Sequence, residues 1–155
     1  MRSKAIRYPQ NDALSSLAPI IGDWSTEGTH GFLPGITLRG TTSFKWHESG
    51  AFIIVHTYLD DSRIPPGIQI FGSDDELDNC TMIYYDVRGV SRNFQASIDN
   101  GGLKWWRDAD APGFSQRYIL TFPDDGQTMI GKGEICKDGS TWEKDLDLTY
   151  TRINT

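Results

Sequence analysis

The sequence predicts an all-β protein, a ten-stranded antiparallel up-and-down β-barrel with a short N-terminal helix. Three observations lead there. From Gly22 onward the chain is a series of short runs, rich in alternating, β-branched and aromatic residues, where helices would show a 3.6-residue period. Tight turn signals separate the runs. Ten consecutive strands leave two sheet edges to dispose of, and closing the sheet on itself removes both.

The elements follow in order. In "NDALSSLAPII", Asn11 or Asp12 is placed to cap a helix over about 11–18, Leu14 and Leu17 share its face, and Pro19 ends it. The strands are "GDWSTEGTH", "TLRGTTSFKW", "AFIIVHTYL", "IQIFGSD", "CTMIYYDV", "SRNFQASI", "GLKWWRD", "FSQRYILTF", "TMIGKGEICK" and "TWEKDLDLTYTR". Between them stand "LPG", "ESG", "PPG", "DDELDN", "RG", "DNGG", "APG", "DDG" and "KDG", where Gly supplies positive φ and Asp or Asn closes local bonds. No linker or repeat divides the 155 residues, so they read as a single domain, 1–155. About eight strands give an interior that side chains just fill or that holds one small ligand, so ten are expected to leave a cavity. A flattened sandwich with a filled core is the alternative.

A net charge of -6, with Lys and Arg scattered, argues against a nucleic-acid partner. Any attraction for an acidic ligand must therefore come from a local arginine group. No segment has the apolar length of a membrane span, and "MRSKAIRYPQNDAL" lacks the apolar stretch of a secretory signal, which points to a soluble, cytoplasmic protein. Cys80 and Cys136 lack paired metal-ligand spacing and are expected as buried free thiols. "GLKWWRD" leaves room for a homodimer. No nucleophile elbow, His-Glu-x-x-His or phosphate loop appears, so an enzyme of cyclase, isomerase or hydrolase type using the cavity, with Asp145 or His56 as its proton-transfer group, is an alternative without a motif.

Two stretches resemble a known family. "LAPIIGDWSTEG" is similar to the start of the calycin (lipocalin-like) barrels, where a short helix leads into Gly-x-Trp, here Gly22, Asp23 and Trp24. "LDLTYTRI" resembles their last strand, whose basic residue, here Arg152, closes across that Trp in a cation–π contact. The resemblance thus implies that Trp24 and Arg152 are structural. Size, strand count and the leading helix look most like the nitrobindin and fatty-acid-binding-protein group, including bacterial relatives of unknown function, and "DVRGVSR" and "FSQRY" resemble the latter. Nitrobindins hold haem on a last-strand histidine whose position falls on Asp145. A carboxylate is a poor substitute on haem iron, so no haem or other cofactor is expected, and a nitrobindin-like haem protein stands as a further alternative that a Soret band on haem titration would revive.

Asp145 inward would turn Leu146, Leu148 and Tyr150 toward water, forgoing about 1.5–3 kcal/mol for each. A β-bulge near Asp145 that switches the facing resolves the conflict better than an outer patch covered by the helix or a second subunit. Arg92 alternates with Phe94, Ala96 and Ile98 and is expected inward, paired with Asp86, Asp145 or Glu134 because an isolated buried charge is disfavoured. Arg88 reads as a solvated turn residue and Arg117 as outward. The expected ligand-binding wall is therefore Asp145, Arg92, Tyr84, His56 and Trp142, around a small apolar or amphipathic molecule.

Overall fold

The computed structural model describes residues 10–76, 79–99, 101–108, 113–122 and 124–154. The basic opening of the chain and parts of "DDELDN", "DNGG" and "APG" fall outside them. Ten strands follow one another: β1 (Gly22–His30), β2 (Leu38–His47), β3 (Phe52–Leu59), β4 (Gly67–Ser73), β5 (Cys80–Asp86), β6 (Ser91–Asp99), β7 (Gly102–Arg107), β8 (Ser115–Thr121), β9 (Thr128–Cys136) and β10 (Trp142–Arg152). Each pairs antiparallel with the next, and β10 returns onto β1 from Trp24↔Arg152 to His30↔Leu146, so the sheet is a closed barrel. No helix among the described residues is long and apolar enough to cross a membrane.

An up-and-down order gathers alternate connections at opposite ends. The connections β1–β2, β3–β4, β5–β6, β7–β8 and β9–β10 surround one end. The helix Asp12–Ile20 crosses the other. It is a 3₁₀ helix that runs through Pro19 rather than stopping there. The spacing explains this: Leu14, Leu17 and Ile20 recur every three residues, the period at which 3₁₀ side chains eclipse, and all three are buried. Pro19 lacks an N–H only in the last turn, where Ile21 N–H closes onto the Ala18 carbonyl at 3.2 Å. Asn11 caps the start by accepting the Ala13 N–H at 3.0 Å, and its amide donates to the Ala51 carbonyl and Ser73 Oγ, tying the helix across the strand ends.

Trp24 and Arg152 close this end together. The Arg152 guanidinium lies 4.2 Å from the Trp24 ring centroid and donates to the carbonyls of Ile21, Pro19 and Gly126, while the Trp24 indole N–H donates to Ile20 at 2.9 Å. Gly22, at φ 138°, leaves the space that Arg152 fills: a Cβ there would stand 2.7 Å from its Nη1. Cys80 and Cys136 are free and buried.

The last strand carries the bulge. Lys144 pairs with Glu134 and Asp147 with Lys132, so three steps along β10 answer two along β9. The extra residue turns the strand over. Leu148 and Tyr150 are buried beyond it, and Asp145 and Leu146 both reach the lumen. The Asp145 carbonyl, out of the β9 ladder, accepts the Gly31 N–H at 2.9 Å.

Candidate functional site

The lumen is not filled by its own side chains. A cavity of about 560 Å³ runs inward from the end opposite the helix. Its floor is made by Met82, Phe94, Trp105, Leu148, Tyr118 and Tyr150. Trp105 stacks on Tyr118 with ring centroids 4.5 Å apart. The Tyr118 and Tyr150 hydroxyls bond each other at 2.7 Å, and burial pushes both phenols above their ordinary range. Gly131 makes room for this pair, because a Cβ there would collide with the Tyr118 hydroxyl.

The mouth is cationic although the chain is acidic. Arg63, Arg88, Arg92, Arg117 and Lys137 stand on it, and Asp145 is the one acid on the cavity wall among the described residues. Three cations are paired with carboxylates that are not on the cavity lining: Arg63 with Asp61 at 2.6 Å, Arg88 with Asp86 at 2.7 Å and Arg117 with Glu134 at 3.1 Å. Arg92 and Lys137 have no carboxylate partner among the described residues. Arg92 lies 4.7 Å from the Phe114 centroid and 5.9 Å from that of Tyr84, and Lys137 lies 3.7 Å from that of Phe32.

That overturns the expected pairing of Arg92. Asp86 is claimed locally: its carboxylate accepts the Arg88 backbone N–H at 2.9 Å, the Arg88 guanidinium and the Tyr84 hydroxyl at 2.6 Å. The Arg88 bonds hold the Asp86 carboxyl far below the usual carboxylate range, and burial with the Asp86 bond pushes Tyr84 up to about 12. Glu134 is taken by Arg117, and Asp145 by His30 and Gln116. Half-buried, Arg92 has its pKa lowered chiefly by desolvation, with the neighbouring Arg107 and Arg88 adding to the effect.

Asp145 is held at the wall by two donors, His30 Nε2 to Oδ1 at 3.0 Å and Gln116 Nε2 to Oδ2 at 2.9 Å. His30 Nδ1 in turn accepts the Phe32 N–H at 3.0 Å, which fixes the ring proton on Nε2. Both ring nitrogens are thereby engaged. The residues do not fit haem: Asp145 offers a carboxylate where the nitrobindin resemblance would put the ligand, and the neighbouring imidazole has no free lone pair. No group of three or more His, Cys, Asp and Glu placed for a metal ion occurs among the described residues.

Of the expected wall, Asp145, Arg92 and Tyr84 line the cavity, and His56 and Trp142 do not. Trp142 stands three residues before Asp145 on a strand that bulges between Lys144 and Asp147, so facing Asp145 inward sends Trp142 out. There the Arg117 guanidinium covers its ring at 3.9 Å. His56 is exposed on the outer face of β3, between the buried Val55 and the half-buried Thr57. It borders an outer groove of about 660 Å³ whose charged residues, among those described, are Asp23 and Asp86. His30, passed over in the sequence, occupies the wall instead. Counting in twos from the inward Trp24 through Thr26 and Gly28 reaches it.

A closed ten-stranded antiparallel barrel with a helix across one end and an open lumen at the other is consistent with a calycin-like fold. No protein-family model matches the chain, and no curated protein matches it in sequence.

Proposed function

We propose that the protein binds a small amphipathic molecule with an acidic group, its apolar part in the lumen and its anion at Arg92, without haem. One observation carries this reading: a largely apolar cavity of about 560 Å³, within the range of ligand sites, opens at a mouth where a half-buried arginine lacks a carboxylate partner among the described residues. A cation taken partly out of water is disfavoured until an anion joins it. The calycin resemblance of "LAPIIGDWSTEG" and "LDLTYTRI" points the same way, because fatty-acid carriers of that group take carboxylates in the lumen.

Isothermal titration with medium-chain fatty acids and flat aromatic acids tests it. The reading expects saturable one-to-one binding for some member and much weaker binding of the corresponding alcohol or amide. Equal binding of acid and alcohol removes Arg92 from the account, and no binding across the panel removes the lumen as a ligand site.

A further inference from the structure

The polar groups opposite Arg92 narrow the ligand further. Asp145 is half-buried, its side chain 16 % exposed, and a carboxylate has about four acceptor positions, of which His30 and Gln116 fill two. Because a carboxylate only accepts, Gln116 must turn its NH₂ toward Asp145, which directs its carbonyl oxygen elsewhere. Because Nδ1 of His30 accepts the Phe32 N–H, its Nε2 proton is committed to Asp145 and a neutral imidazole is enough to hold it. Lys144, the nearest cation in sequence, is engaged outside the barrel with Asp147 and Thr29. Asp145 therefore keeps open acceptor positions while its two neighbouring donors are committed, and the cation on this side, Lys137, lies over Phe32 at 3.7 Å. An anionic headgroup is repelled by the Asp145 carboxylate itself and is drawn to the cations, of which Arg92 is the half-buried one.

The two sides are linked at the start of β8: Arg92 packs on Phe114, just before the strand, and Gln116, two residues or about 7 Å of extended chain further on, bonds Asp145. A ligand that fills the lumen excludes water from both. Its anion meets Arg92, but a plain hydrocarbon chain leaves the open acceptor positions of Asp145 unmet. A site built to bond a hydroxyl or amine discriminates strongly against the analogue lacking it.

We propose that the preferred ligand is an amphipathic carboxylic acid bearing a hydroxyl or amino group set apart from the carboxylate, with that group donating to Asp145. The proposal rests on the lumen-binding reading above and adds the second polar group to it.

The test compares matched ligands on the whole protein. A long-chain acid and its analogues carrying a hydroxyl or an amine at increasing distance from the carboxylate are titrated into the wild type and into Asp145→Asn. The expected result is that at least one substituted acid binds the wild type about tenfold or more tightly than its parent, as one good hydrogen bond to a charged group provides. Asp145→Asn should collapse that ratio to within about threefold. The wild-type ratio needs no variant, so poor folding of Asp145→Asn does not blunt the test. A parent acid that binds as well as every substituted analogue overturns this proposal and leaves the lumen reading standing. A preference that survives Asp145→Asn in a folded variant also overturns it, because the donor then lies elsewhere. Failure of parent and analogues alike overturns both.

Discussion

Arg92→Met separates the two roles open to a half-buried arginine, building the barrel or holding a ligand. In the free protein its guanidinium has ring contacts with Phe114 at 4.7 Å and Tyr84 at 5.9 Å and no carboxylate partner among the described residues. Two such contacts contribute about 0.5–1 kcal/mol each at exposed sites, and the desolvation that lowers the Arg92 pKa opposes them. Methionine keeps a flexible apolar stem against the same rings. The net change in unfolding free energy should therefore stay within about 1 kcal/mol of zero, or about 2–4 °C in a chain of this size. Binding is a different matter. A charge-assisted hydrogen bond to a carboxylate is worth about 1.5–3 kcal/mol, which is about a 10- to 150-fold loss of affinity for an amphipathic acid and little change for its alcohol. Thermal unfolding and titration of the two ligands read both numbers. A variant that melts more than about 10 °C lower while binding the acid normally would show that Arg92 serves the fold, and the reasoning would be refuted.

Two further predictions concern the residues that shape the lumen. Tyr118→Phe leaves the Tyr150 hydroxyl, bonded to it at 2.7 Å, without its partner and should cost about 1–3 kcal/mol. Adding Tyr150→Phe should return part of that loss, so thermal unfolding of the single and double variants must be non-additive, and simple additivity would show the bond to be dispensable. Asp86→Asn tests the latch at the β5–β6 turn. Its carboxyl is held below the unfolded value by Arg88, so the wild type gains stability that is present above the unfolded carboxylate pKa, about 3.9, and is lost as pH falls through the lower folded value. Asp86→Asn should melt lower than wild type at pH 7, and the gap should shrink steadily below about pH 4. A gap independent of pH would place its origin in packing rather than charge.

The parts of this molecule legible from the sequence are those set by local chemistry and two-residue periodicity. Ten runs and their turns gave ten strands, and the conflict between Asp145 and Leu146, Leu148 and Tyr150 pointed to the bulge that resolves it. The same bulge hid the place of Trp142, since a residue before it has the opposite facing to an even count from Tyr150. On β3 both faces are apolar, Ile53 and Val55 inward against Phe52 and Ile54 outward, so periodicity alone has no means of placing His56. That Arg92 lacks a carboxylate partner among the described residues was illegible for another reason: whether Asp86 pairs with Arg92 or folds back on Arg88 is a competition between a distant partner and a turn, and the turn wins. The spacing of Leu14, Leu17 and Ile20 held a signal for the helix type, which the reading of Pro19 as a stop passed over.

The most direct measurement is an anomalous difference map at the bromine edge from a crystal grown with an amphipathic carboxylic acid brominated at its far end. The account predicts a bromine peak deep in the barrel, between Phe94, Trp105 and Leu148, with the carboxylate against the Arg92 guanidinium. A lumen without bromine at saturating ligand, or bromine in the outer groove beside His56, would contradict it.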